Sequence, residues 1–282
     1  MTVWLDFEKP VLELEQRIQE LKEQATAQGL GAGDELAELE RKAEALRREI
    51  FSHLTAYQRV QLARHPRRPY ALDYIERCFS GFAELHGDRH FADDPAIVAG
   101  AAMFRERAVM VVGQQKGRDT KENLLRRFGM PNPEGYRKAL RLMRTAERFA
   151  MPIVTAVIGE GGSGGALAIA VADVVILFEN SVYSVISPEG CASILWRDGK
   201  KNVLAAEALK LTAADLVRLE VVDEVLPEPF GGAHRDPAAA AATLGDALGR
   251  HLDRLSGVSP DGLVEARLQR YRRMGVFREE SA

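Results

Sequence analysis

The chain has 282 residues, 46% of them hydrophobic, which is enough to bury one large core or two modest ones. A net charge of −3 gives no electrostatic ground for nucleic acid or an anionic membrane surface as a partner. Cys78 and Cys191, the two cysteines, stand far apart without histidines at ligand spacing, so buried or partly buried thiols are expected rather than a zinc site or a disulfide. The opening Met-Thr-Val-Trp-Leu-Asp-Phe-Glu-Lys is neither basic nor continuously apolar, and no apolar run is long enough to span a bilayer, so a cytoplasmic protein is expected.

Residues 10–63 read as a helical hairpin. Val11, Leu14, Ile18, Leu21 and Ala25 recur three and four apart, as do Leu36, Leu39, Ala43, Leu46 and Ile50. A glycine break at 28–33 separates the arms, and Asp34 is placed to cap the second. Two heptads per arm are too few for a free coiled coil, so the hairpin needs a surface to pack on. A proline-punctuated basic connector follows, in which Arg64, Arg67 and Arg68 are candidates for phosphate contacts and His65 has no visible carboxylate partner.

The pattern then turns mixed α/β. A helix is predicted over 72–82, and two strands over 97–104 and 108–113, joined by Arg105-Glu106-Arg107. The second strand ends in a loop where Lys116, Arg118 and Lys121 are candidate anion contacts, because sites gather at strand ends. Pro131-Asn132-Pro133-Glu134-Gly135 opens a long amphipathic helix that Pro152 stops. More strand is predicted over 174–178 and 181–186. Ser187-Pro188-Glu189 then starts a helix with a cap, a proline at its first position and an acid in its first turn. Residues 204–219 read as one helix, 221–226 as a short strand, and the last fifty as a polar helical tail.

Between Pro152 and the second group of strands lies the most informative stretch, 153–169. A β-branched apolar run breaks into Gly159-Glu160-Gly161-Gly162-Ser163-Gly164-Gly165-Ala166 and resumes at helical spacing, which reads as strand, tight turn and helix start. Unpaired main-chain N–H groups at such a start favour negative charge, and the only side chains there with acid–base or nucleophilic chemistry are Ser163 and Glu160. Three readings stay open on the local pattern. One is a packing turn. Another is a dinucleotide site, since Gly159, Gly161 and Gly164 satisfy G-x-G-x-x-G with Glu179 closing the next strand. The third is an oxyanion hole built from the Gly165 and Ala166 amides. A phosphate-cradling Walker loop is excluded, because no Lys-Ser/Thr follows the glycines.

Taken together, Leu5-Asp6-Phe7-Glu8, Leu62-Ala63-Arg64-His65-Pro66, Gln115-Lys116-Gly117-Arg118, Phe128-Gly129-Met130-Pro131, residues 133–143, residues 159–169, residues 183–196 and 229–235 resemble the α subunit of bacterial acetyl-CoA carboxylase carboxyltransferase. Runs this long, in this order, set the dinucleotide reading aside. The resemblance implies a crotonase-like α/β fold of repeated ββα units behind the helical hairpin. It also implies a β subunit bearing the zinc ribbon, an α2β2 heterotetramer, and a biotin carboxyl carrier protein that presents carboxybiotin. The implied reaction moves the carboxyl group to acetyl-CoA, giving malonyl-CoA for fatty acid synthesis, with no metal in this chain. By resemblance the oxyanion donors are the Gly165 and Ala166 amides, and substrate contacts fall to Gly161, Gly162, Ser163, Gly164, Lys116, Arg118, Ser187, Glu189 and Gly190. The expected organisation is a hairpin at 1–62, a carboxyltransferase domain at 63–256 and a helical tail at 257–282.

In one place the chain departs from that family. After Pro152 the family has a further strand, a turn of the type Asp-Thr-Pro-Gly-Ala-Tyr-Pro-Gly and a helix, and here helix, Pro152 and strand run straight into the glycine turn. The missing piece is roughly one βα unit of about 30 residues. We expect the remaining elements to repack and the pocket to be incomplete, with low or no transferase activity. Two alternatives follow: an assembly subunit without a full site, and a freestanding crotonase-like acyl-CoA enzyme.

Overall fold

The structure is a computed structural model that describes residues 5–28 and 34–275. Helices α1 (Lys9–Gln28) and α2 (Asp34–Ser52) pair antiparallel, with Glu15 against Arg47 and Lys22 against Glu40 at their two ends. Val11, Ile18 and Ala43 of the predicted stripe are buried between them and the body. The predicted glycine break at 29–33 and the Asp34 side chain lie outside the described residues. The hairpin has the surface it needs: Phe51 meets Phe230, and Arg235 reaches Glu15 at 3.2 Å. Helix α3 (Ala56–Ala63) starts at a capping box of Thr55 and Gln58 and buries Ala56, Val60 and Ala63 against Val182, Ala206 and Leu211.

Helix α4 (Ala71–Cys78) stops four residues short of the predicted end. Phe79 turns away to stack on Phe104 at 5.5 Å, Gly81 takes a φ of +61°, and strand β1 (Ser80–Glu84) begins. Three strands form an antiparallel sheet in the order β1-β2-β3, with β2 (Ile97–Phe104) and β3 (Arg107–Gln114) joined by the two-residue turn Arg105-Glu106. Arg105 has a φ of +54°, as tight hairpin turns demand. Helix α5 (Thr120–Leu125) follows the loop after β3, capped by Asp119. Helix α6 (Pro133–Arg148) then lies across the sheet, burying Leu142 against Ile97 and Ala99. The contact is reinforced by Lys138, whose buried ammonium donates to the Ile97 carbonyl at 2.8 Å and meets Asp93 at 2.8 Å.

The second sheet is parallel, in the order β4-β6-β8, from β4 (Val154–Val157), β6 (Val174–Phe178) and β8 (Glu224–Leu226). Every residue of β6 is buried. Its side chains alternate as the pleat requires: Val174, Ile176 and Phe178 face one core cluster, while Val175 and Leu177 face another. A short parallel pair, β5 (Glu160–Gly162) with β7 (Val182–Ser184), rises from the ends of this sheet. Helix α7 (Ser163–Ala170) leaves β5, and α8 (Pro188–Trp196) leaves β7.

Residues 204–219 are two helices rather than one. Helix α9 (Asn202–Leu209) ends at Lys210, which has a φ of +50°, so that Leu211 can turn into the core before α10 (Ala213–Arg218) starts on its Thr212 cap. The polar-tail expectation also fails. Helix α11 (Pro237–Leu255) lays Ala240, Ala241, Leu244, Ala247 and Leu252 onto Val174, Ile176 and Phe178 and forms the main core. Helix α12 (Pro260–Arg273) is tied down by Arg267 to Asp173 and by Arg270 to the Val221 carbonyl at 3.0 Å.

The two larger sheets do not join. Strand β3 ends the first and β4 ends the second, each with one edge unpaired among the described residues. Residues 130–175 therefore form no continuous sheet layer. Nearby apolar groups that a further unit would cover stand in solvent, with Phe149 at the end of α6 and Leu167 on α7 each 71% exposed.

Candidate functional site at the glycine turn

The turn predicted between strand and helix contains its own short strand. Val182 donates to the Gly159 carbonyl at 2.9 Å, and Glu160, Gly161 and Gly162 pair with Val182, Tyr183 and Ser184. This register sets the starts of α7 and α8 side by side. Ser163 opens α7 in the left-handed region, with a φ of +54°, a conformation that disfavours a residue bearing a Cβ by about 1–2 kcal/mol. Gly162 caps the helix without a side chain to offer. The first-turn amides of α7 therefore have no side-chain capping partner.

The glycines divide into two kinds. A Cβ on Gly161 would lie 2.9 Å from the Tyr183 ring, and one on Gly159 would lie 3.3 Å from the Ala63 carbonyl, so packing requires both. A Cβ on Gly164 would meet nothing within 4 Å, and one on Gly165 would meet only the Gln114 amide at 3.7 Å. Neither has a positive φ. The fold does not need glycine at 164 or 165, and what their bareness provides is close approach from outside. Gly162, Ser163 and Gly164 are exposed and Gly165 half-buried. Ala166 is buried, its carbonyl accepting from the Tyr183 hydroxyl.

Ser187, Glu189 and Gly190 gather at the start of α8. Ser187 is the cap, accepting from Gly190 N–H at 3.1 Å. Glu189 accepts from Arg64 at 2.9 Å and from the Tyr57 hydroxyl at 3.2 Å. Burial pushes the Glu189 carboxyl up, but Arg64 and Tyr57 outweigh it and hold the group below the usual carboxylate range. Lys116 and Arg118 lie beyond β3, whose last residue, Gln114, reaches the Gly165 side of the turn. Arg118 donates to the Pro66 and Arg68 carbonyls at 3.0 Å each, pairs with Asp73 and stacks over Tyr70 at 3.9 Å. Lys116, half-buried, has no such ion pair among the described residues.

The phosphate role considered for the connector does not hold for Arg64 and Arg68. Arg64 is bidentate to Glu160, at 2.8 and 2.6 Å, besides its bonds to Glu189. Arg68, 1% exposed, is sealed between Glu228, Ser181 and the Ile158 carbonyl. Nor is His65 away from carboxylates. It stacks on His234 at 4.0 Å, and Glu8 lies 3.5 Å from His234 Nε2. The ligand-type atoms of Glu8, His65 and His234 come within 4.8 Å of one another, as do those of Glu84, His86 and Asp93. In the buried trio His65 Nδ1 already accepts from Arg67 N–H, and the Arg235 guanidinium stands 4.0 Å from Glu8. Both features oppose a dication.

Two clefts, of about 320 Å³ beside Phe230 and about 480 Å³ beside Phe128, include no residue of the glycine turn. The glycine turn is thus a strand–turn–helix junction of an α/β chain, with no side-chain cap at its helix start and with the adjacent Glu160 carboxylate already paired.

The profile of the acetyl co-enzyme A carboxylase carboxyltransferase-like family matches residues 4–157 and 150–275. The acetyl-coenzyme A carboxylase carboxyl transferase α subunit of Thermus thermophilus is 52% identical, covering 98% of this chain and 99% of its own length, and that of Geobacter metallireducens is 51% identical, covering 98% of each. Among solved structures the chain is similar to transcarboxylase 12S, with 14% identity, a TM-score of 0.48 and coverage of 74% of this chain and 46% of that one. A Pseudomonas malonate decarboxylase hetero-dimer gives 15% identity, a TM-score of 0.40 and coverage of 64% and 91%. The chain belongs to the acetyl-CoA carboxylase carboxyltransferase α-subunit family, and it is a carboxyltransferase chain of α/β fold. The Thermus alignment runs over 313 positions, of which this chain fills about 276, leaving about 37 without a residue here. The two profile matches overlap at 150–157, so one helix–proline–strand junction serves for both sides of the gap.

Proposed function

We propose that this chain works as the α half of an acetyl-CoA carboxylase carboxyltransferase, moving a carboxyl group from carboxybiotin on its carrier protein to acetyl-CoA in the cytoplasm, and only in company with a zinc-ribbon β subunit in an α2β2 assembly. The Gly165 and Ala166 amides receive the ureido oxygen as negative charge builds on it, while the carboxyl carbon leaves N1 of biotin and bonds to the methyl carbon of acetyl-CoA, whose lost proton goes to the biotin ureido group. Loss of one such donor typically raises a barrier by about 3–4 kcal/mol. The bare lip at 161–164, with Ser163 in the left-handed region, admits the ring, and Lys116 supplies charge toward the CoA phosphates. Arg118, already engaged, shapes the loop that carries Lys116, while Ser187, Glu189 and Gly190 form the neighbouring wall. The observation that carries the reading is glycine at 164 and 165 without a packing reason, beside an uncapped helix start.

A second reading is favoured by the split between the sheets and the roughly 37 absent positions: an assembly subunit that binds its partner without completing the site. Reconstitution with the β subunit of the Thermus relative, assayed by malonyl-CoA decarboxylation with biocytin, separates the two. The expected result is a stable complex with turnover at least tenfold below that of the full-length α subunit. Complex formation without turnover selects the assembly subunit, turnover equal to the full-length subunit overturns the incomplete pocket, and activity of the isolated chain on an acyl-CoA selects a freestanding enzyme.

A further inference from the structure

The connector after α3 grips three consecutive residues of the glycine turn from behind. Arg68 Nε donates to the Ile158 carbonyl at 2.7 Å, the Ala63 carbonyl would lie 3.3 Å from a Cβ on Gly159, and Arg64 holds both oxygens of Glu160. The same guanidinium reaches the first turn of α8, at 2.9 and 3.3 Å from the two oxygens of Glu189. Glu189 is steadied in turn by the Tyr57 hydroxyl at 3.2 Å, and Asn202 donates to that hydroxyl at 2.8 Å. One cation thus ties the loop before α7 to the start of α8, and its planar fork is suited to two carboxylates at once.

Those carboxylates are ill placed if left bare. Glu160 lies five residues before Gly165, and Glu189 lies in the first turn of α8 on the same Arg64 guanidinium, so two negative charges gather at the entry to amides that would receive a third. In a half-buried setting such charges act at much less than the screening of bulk water. We propose that Arg64 is a positioning residue for the glycine-turn site: it fixes the start of α7 relative to α8 and neutralises Glu160 and Glu189, so that the Gly165 and Ala166 amides face an anion without competition. This rests on the transferase reading for its purpose, though not for its geometry.

The test uses the full chain and the variants R64Q, R64K and R64Q/E160Q, read by amide hydrogen exchange and by turnover with the β subunit. In R64Q the amides of 160–166 and of Val182 should exchange at least about tenfold faster while those of Ala241, Leu244 and Ala247 in α11 stay within about twofold of wild type. R64K, which keeps the charge without the fork, should fall between. For turnover, kcat should drop at least about tenfold in R64Q with KM for acetyl-CoA little changed, and E160Q added to R64Q should restore part of it. Unchanged exchange at 160–166, or a rise shared equally by α11, would overturn the proposal. Wild-type chain that binds the β subunit without turnover counts against the transferase reading alone, because exchange still decides the role of Arg64.

Discussion

Gly161 and Gly164 stand three residues apart and respond to different constraints. Alanine at 161 would bring a Cβ to 2.9 Å from the Tyr183 ring, an overpacking that typically costs about 1–3 kcal/mol. Alanine at 164 would meet open space, so G164A should unfold within about 0.5 kcal/mol of wild type in urea while losing most of any carboxyl transfer. If both variants lose stability alike, the division of the glycines is wrong. The thiol of Cys78 gives a second residue-scale expectation. Burial pushes it up to about 11, and its Sγ donates to the Ala241 carbonyl at 3.3 Å. Alkylation by iodoacetamide at pH 7.5 should be slower at Cys78 than in the unfolded chain by about a hundredfold, and comparable rates would contradict its burial. At this scale the sequence was half legible. It pointed to the amides because no other chemistry was available in the turn, but it said nothing of which arginines were engaged, since Glu160, Glu189 and Glu228 lie about 90 to 160 residues away along the chain.

Elements were legible where a local signal ended them. Ser187-Pro188, with its cap and fixed φ, opens α8 as predicted, and the polar two-residue turn between β2 and β3 holds its register along the whole pair. Where tertiary packing overrode propensity, the reading failed. Phe79 left α4 for Phe104, Leu211 split one apolar run into α9 and α10, and the alanines of α11 looked polar-flanked until β6 covered them. The connector between α3 and α4 carries its own prediction. Arg68 and Glu228 form a buried pair, and E228Q would leave the guanidinium without its counter-charge, a loss of about 3–5 kcal/mol by denaturant unfolding. Burial pushes the Glu228 carboxyl up, but Arg68 and the Ala233 N–H outweigh it and hold the group below its ordinary 4.5. Its folded value being the lower one, the stabilisation is fully present above pH 4.5 and is lost as pH falls through the folded value. E228Q should therefore flatten the acid side of the stability profile, and an unchanged profile would refute the assignment.

For the molecule as a whole, family and fold class were legible from motif order, and so was the gap after Pro152, although nothing in local periodicity betrays it. Illegible was how the remainder would close. It does not: β3 and β4 each end a sheet, with Phe149 and Leu167 uncovered. Inserting the roughly 37-position segment of the Thermus relative after Pro152 should raise the thermal midpoint by at least about 5 °C and raise turnover with the β subunit, provided the strand seats between those edges. A lower midpoint would mean that the shortened core has settled into its own packing.

The overlap at 150–157 has a consequence for how such folds vary. Because one phrase, a helix, a proline and a β-branched run, serves both profile matches, a whole layer can be missing at that phrase and the text on either side still parses. Architectures written in repeated phrases can shed or gain a paragraph without a grammatical error, and the omission shows only when the strands are asked to stand next to one another.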